Sequence, residues 1–307
     1  MGLHRAVVAG AFLALALLVA DRPAAQEAVR VASKLDSESS LLGAMILLLL
    51  EADGIKTVDK LQLGPTNILR HAILAGEIDI YPEYTGNGAL FYADDQDPAW
   101  KDARAGYDKV RSLDLTRHGL VWLAPAPADN SWVVAVPRAV AVANNLATMA
   151  DFADWVRRGG AVVLAASAEF VESPAALPAF ERRYDFSLPP SSLLVLAGGD
   201  TAVTLRAAAE GISGVNAAMA YATDGALAVL GLVALSDPRR AQIIYAPAPV
   251  VRAAVLERYP IIRDSLAPVF AALDTTSLRR LNARIAVDGE VASAVAADYL
   301  RSRGRLR

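Results

Sequence analysis

Leu63–Gly88 reads LGPTNILRHAILAGEIDIYPEYTGNG. Ahead of it, Val58–Leu63 has the make-up of a strand. Gly64–Pro65–Thr66 breaks the chain and caps a helix predicted over Asn67–Ala75. Gly76 stops that helix, and Ile78–Tyr81 reads as the next strand. A strand, a short helix and a strand in this rhythm form a βαβ unit, which implies a parallel sheet with helices on its faces. Ligands of open parallel sheets bind beyond the carboxyl ends of the strands, where Tyr84–Thr85–Gly86 falls.

The same grammar extends in both directions. Val29–Ala32 reads as a strand, followed by capping residues in Ser33–Ser39 and an apolar run to Leu50 that predicts a buried helix ending at Gly54. Downstream, helices are expected over Lys101–Ser112 and Phe152–Val156, and strands over Leu120–Leu123, Trp132–Val136 and Ala161–Ala165. A Thr201-led helix stops at Gly211 and feeds the strand Ala217–Tyr221, after which Thr223–Asp224–Gly225 starts another helix; Gly198–Gly199–Asp200 reads as the lead-in. Ile261–Tyr299 is helical with two breaks. Pro125–Ala128 and Tyr245–Pro249 are proline-broken stretches that bracket a central block. A chain that leaves one lobe, builds another and returns crosses twice. The run Thr66…Gly76…Tyr84–Thr85–Gly86 is echoed by Thr201…Gly211…Tyr221…Thr223–Asp224–Gly225, so the two tyrosines would face one cleft between similar lobes. Generic α/β grammar produces the same echo, and the residues alone leave both readings open.

His4 and Arg5, the apolar run Ala6–Ala20 and the small pair Ala24–Ala25 follow the order of an export signal, with cleavage expected near Ala25. The run is shorter than the roughly 20 residues that span a bilayer. With no cysteine in the chain, lipid attachment at a cysteine, disulfides, thiol nucleophiles and zinc–cysteine sites are excluded. A formal charge of −3 offers no basic stripe for nucleic acid. No nucleophile elbow, phosphate loop or zinc-protease motif is present. Asp94–Asp95–Gln96–Asp97 lacks the spacing of a calcium loop and reads as a solvated acidic turn. Neither an enzyme nor a metal or cofactor site is indicated.

Aromatic residues make up only 7% of the chain, yet Tyr81, Tyr84, Trp132, Tyr221 and Tyr245 stand at predicted strand ends or loop starts. A ring of aromatic faces holds a cation that cannot donate hydrogen bonds. Each residue alone is more simply a packing residue; their joint placement points to a cage.

SKLDSESSLLGAMILLLLEADG, LGPTNILRHAILAGEIDIYPEYTGNG, NSWVVAV, AMAYATDG and YAPAPVVR together resemble the substrate-binding proteins of ABC importers for glycine betaine, choline and related osmoprotectants, in the exported, non-lipidated form of Gram-negative bacteria. The resemblance implies an α/β, two-lobed periplasmic binding protein fold of type II character, with two hinge crossings and the ligand in the interlobe cleft. With the signal at 1–25, it divides the chain into 26–128 plus 247–307 as one lobe and 129–246 as the other. It implies an aromatic cage of Tyr84, Trp132, Tyr221 and Tyr245, with Lys34 and Asn87 as donors to a ligand carboxylate. Ser173 stands where the family has Arg, a departure that predicts weak glycine betaine binding, with choline equal or better; Arg206 is a candidate substitute. The implied partners are a quaternary ammonium solute and permease subunits with their ATPase, for a periplasmic monomer without cofactor. A scavenging or sensory receptor of the same shape, or an enzyme on this fold, is the alternative.

Overall fold

In a computed structural model, residues 27–196 and 201–306 are described. The export signal and the lead-in Gly198–Gly199–Asp200 lie outside them. Two five-stranded sheets carry the fold among the described residues. The first contains β1 (Val29–Lys34), β2 (Thr57–Gly64), β3 (Ile80–Tyr84), β4 (Leu120–Trp122) and β10 (Pro247–Arg252), in the order β2-β1-β3-β10-β4. The second contains β5 (Trp132–Pro137), β6 (Leu164–Ser167), β7 (Leu193–Leu196), β8 (Ala217–Tyr221) and β9 (Leu232–Ala234), in the order β7-β6-β8-β5-β9.

These two orders are one topology used twice. In each sheet the second, first and third strands of a parallel unit lie side by side. The strand entering from the other sheet then inserts antiparallel between the third and the fourth: β10 between β3 and β4, β5 between β8 and β9. The sequence echo is therefore a topological repeat. Helices Thr66–Leu74 and Thr201–Glu210 lead to β3 and β8, with Gly76 and Gly211 at positive φ behind them, and Tyr84 and Tyr221 end the two strands.

The helix Ser37–Ala52 joins the first sheet to its core. Asp36 accepts from Ser39 N at 2.8 Å, satisfying an otherwise orphaned first-turn donor. From Leu41 to Leu50 the helix is apolar on every side, as expected of a buried helix. It packs on β1 and β2 and on the C-terminal helices Ile261–Phe270, Thr275–Ala286 and Ala292–Ser302. Leu41, Leu42, Met45 and Ile46 are fully buried in that core, each contributing roughly 1.5–3 kcal/mol.

Several boundaries differ from the sequence reading. The strand expected to end at Tyr81 runs through Pro82 to Tyr84, and Tyr81 is a fully buried core residue. The stretch Tyr245–Pro249 is only partly a crossing, because Pro247 and Pro249 open β10, a central strand where proline is disfavoured. Their carbonyls accept from Ala126 N and Leu123 N, so their absent N–H groups would have pointed to that same side. Towards β3, Pro249 lies opposite Pro82, at a position where neither strand needs an N–H. Thr66 is the first residue of its helix rather than its cap, and the helix expected to stop at Ser112 extends over Ala103–His118. Asp94 and Asp97 are not merely solvated, since both pair with Lys109.

Candidate functional site

A cavity of about 740 Å³ opens where the carboxyl ends of both sheets meet, and Lys34, Tyr84, Asn87, Trp132, Ser173, Tyr221 and Tyr245 all line it. The repeat explains the convergence. Tyr84 is the last residue of β3, and Tyr221 is the last residue of β8, paired in register with Trp132 at the start of β5. Trp132 and Tyr221 stack with centroids 6.2 Å apart at 23°, and Phe170 meets the indole edge-on at 5.8 Å. Tyr245 enters from the return crossing and sits against Gly86. A Cβ on Gly86 would lie 2.8 Å from Ile244 O and 2.8 Å from the Tyr245 ring, so only glycine admits this approach. Burial pushes the phenol of Tyr84 well above its usual pKa, raises that of Tyr221 and lifts Tyr245 to about 12. All three are neutral at physiological pH and present ordinary aromatic faces.

The expected carboxylate donors have other partners. Lys34 Nζ lies 2.5 Å from Glu83 Oε1 in a buried ion pair, and 4.7 Å from the centroid of the Tyr84 ring. Asn87 Nδ2 and Tyr84 N also donate to that oxygen, at 2.6 and 2.8 Å. Ser173 ends the helix Ala168–Glu172 and brings one neutral hydroxyl. Arg206 does not line the cavity; it is exposed and pairs with Glu210 at 3.5 Å.

Sequence reasoning missed a second set of lining residues: Asp36, Glu38, Glu169, Thr223, Asp224 and Asn282. Glu38, 5% exposed, accepts from Tyr84 Oη at 2.9 Å through Oε1 and from Asn282 Nδ2 at 2.6 Å through Oε2. Asn282 Nδ2 also reaches Thr223 O at 3.0 Å, and Thr223 Oγ1 donates to Asn130 Oδ1 at 2.7 Å. The turn after β8 is held against helix Thr275–Ala286 from the other side as well, by Arg279 Nε on Ala222 O at 2.5 Å. A Cβ on Gly225 would lie 2.2 Å from Ala283 N. The polar network therefore joins a helix of the first sheet, the C-terminal helices and the second sheet's turn. Among the described residues, four carboxyl groups line the cavity against one ammonium that is already paired, a field that favours a cationic ligand. The one sequence signal for Glu38 is its place in the first turn of a helix whose middle is all apolar, where a buried acid needs a partner; nothing local marked Asn282.

The family model described as the substrate-binding domain of ABC-type glycine betaine transport systems matches residues 27–302. The chain is 57% identical over 276 residues to the glycine betaine-binding protein YehZ of Escherichia coli, covering 90% of each. It is 29% identical over 295 residues to a glycine-betaine-binding protein of Pseudomonas aeruginosa, covering 94% of this chain and 92% of that one. The solved structure of apo YehZ from Escherichia coli superposes with a TM-score of 0.82 at 56% identity, over 91% of this chain and 99% of that one.

Proposed function

Given that the chain belongs to the family of ABC-type glycine betaine substrate-binding domains, we propose that it captures a small quaternary ammonium solute in the cavity between its two sheets and hands it to a membrane permease. The family is one of periplasmic solute-binding proteins, not enzymes. Glycine betaine is the first candidate ligand and choline the second. The observation that carries this reading is the meeting of Tyr84, Trp132, Tyr221 and Tyr245, drawn from both halves of the topological repeat and its crossings, on one acid-lined cavity. A trimethylammonium head has no N–H to donate, so it is held by aromatic faces and by field rather than by hydrogen bonds.

In this proposal the units are 26–128 with 247–307, and 129–246, closing on the ligand about the two crossings. The protein works as an exported monomer, cut near Ala25 and without a lipid anchor, serving permease subunits and their ATPase. Calorimetry of the purified protein lacking residues 1–25, against glycine betaine, choline and carnitine, tests the assignment. Saturable one-to-one binding of at least one of them, with a change in tryptophan emission, is expected. Absence of binding to all three at millimolar concentration would sink it.

A further inference from the structure

Glu38 is the buried carboxyl on which the cavity's polar network converges, and capture of a cation by aromatic faces does not require it. Tyr84, which presents one of those faces, donates a hydrogen bond through Oη to Glu38 Oε1. The other oxygen is held by Asn282 Nδ2, while Asn282 Oδ1 is buried without a hydrogen-bond partner. That amide suits both forms of the acid. Against a carboxylate it donates through Nδ2. Against a protonated carboxyl it keeps donating to Oε2, while an acid proton on Oε1 can go to Tyr84 Oη, the hydroxyl turning from donor to acceptor. A site with hydrogen-bonding groups for either protonation state can change charge without breaking its network.

Resting on the quaternary ammonium reading above, we propose that Glu38 is a proton-dependent selector, favouring a purely cationic ligand when ionised and a zwitterionic one when protonated. The ligand head sees the same rings in both cases. An ionised Glu38 polarises the Tyr84 phenol and adds negative field, which stabilises a cation such as choline. The same charge repels the carboxylate of glycine betaine, and the cavity offers little in compensation: Lys34 is paired with Glu83, and Ser173 is neutral. Protonation removes that repulsion.

The switch falls in an accessible range because burial, against the opposing hydrogen bonds from Thr223, Asn282 and Tyr84, lifts Glu38 from the usual 4.5 to about 7, with Asp36 adding a like charge. The phenol of Tyr84, which faces it directly, is held far above neutrality and does not titrate with it. Lys34 is ion-paired with Glu83. Asp36, Glu169 and Asp224 complete the charged lining among the described residues, none of which is a histidine on this cavity.

The sign follows from linkage. Choline stabilises the ionised form and should release protons on binding near pH 7; glycine betaine should take them up. Titration calorimetry of the full mature protein from pH 5.5 to 8.5, in buffers of different ionisation enthalpy, measures both affinities and the proton count. The ratio of betaine to choline affinity should rise about tenfold from the alkaline to the acidic limit, the factor for one unit of pKa difference between the two complexes. Glu38→Gln should hold the ratio near its acidic value at every pH, since a glutamine oxygen still accepts from the Asn282 amide and its NH2 can donate to Tyr84 Oη. The wild-type profile stands alone if that variant does not fold. A wild-type ratio flat with pH, while either ligand binds, overturns the selector and leaves the ligand class intact. If neither ligand binds at any pH, the ligand class falls and the selector falls with it.

Discussion

On the wall built from the first sheet, Tyr84 is tied to Glu38, and Lys34 and Asn87 converge on Glu83. On the wall built from the second, Trp132 is held by other rings, edge-on to Phe170 and stacked on Tyr221, and Ser173, the residue expected to meet the ligand's far end, is neutral. One topology has thus been furnished in two ways. Ring packing is short-ranged and indifferent to pH, so under the proposed function the rings of the second wall recognise a methylated head and little else, and its carboxyls Glu169 and Asp224 add only negative field. Buried ion pairs and shared protons sense charge, so the first wall can respond to the rest of the ligand. A cleft with two aromatic walls of the second kind would bind quaternary amines without distinguishing them.

The comparison breaks most visibly at Lys34. Glu83 is fully buried, and removing its ion-pair partner leaves a carboxylate that Asn87 and one backbone N–H cannot neutralise. Breaking such a pair costs about 3–5 kcal/mol. Lys34→Ala should lower the thermal midpoint by many degrees, and Lys34→Met with Glu83→Gln should recover most of the loss. On the other wall, Ser173→Ala should shift stability by less than about 0.5 kcal/mol. If Lys34→Ala melts with wild type and loses only ligand, Lys34 is a ligand donor and the contrast between the walls is wrong.

Glu38 gives the next largest effect and a pH signature. Its folded pKa, about 7, lies above the usual 4.5, so the native state holds a proton that the unfolded chain has lost. Stability should therefore decline as pH rises from about 4.5 to 7 and level off beyond. Glu38→Gln removes that decline and should be the more stable protein at pH 8, by about 1–3 kcal/mol. Denaturant melts of both proteins at pH 5 and 8 check it; parallel behaviour at the two values would place the carboxyl in an ordinary environment.

Trp132 tests the packed wall. A cation–π contact contributes about 0.5–2 kcal/mol, so Trp132→Ala should weaken ligand binding several-fold to tens-fold and Trp132→Tyr much less, with no change in pH dependence for either. A pH profile altered by Trp132→Tyr would mean that the two walls are not independent.

What could be read from the sequence follows the same division. Tyr84, Trp132, Tyr221 and Tyr245 were legible because each stands beside a local signal: a strand end, a Thr–Gly turn, a proline. The polar wall was not. Lys34 and Glu83 are 49 residues apart, and Glu38 and Asn282 are 244 apart; no local pattern links such pairs, and Lys34 alone read as a free donor. β10 was hidden for a different reason. Prolines normally argue against a central strand, and only the alternation of ladder direction shows that their missing N–H groups are not needed here.

The smallest effect is expected where the two walls would be made alike. Ser173→Arg adds to the second wall the charge that the family resemblance led us to expect at this position. An arginine can grip a carboxylate through two hydrogen bonds, which would favour glycine betaine by about 1.4 kcal/mol or more in an open site. This site is not open. Glu169 lines the same cavity from four residues earlier, and Asp36 lies across it. The introduced guanidinium would pair with one of them part of the time, and that pair must be given up before a ligand carboxylate is held. The net gain for glycine betaine should therefore be a few-fold, below the tenfold that one full charge-assisted pair allows. Choline, which meets only an added positive charge, should bind equally or slightly less well. Competition calorimetry at pH 8, where Glu38 is ionised, reads the ratio directly. A gain shared equally by both ligands would show that the arginine acts on the fold rather than on the far end of the ligand, and that charge on the second wall does not discriminate.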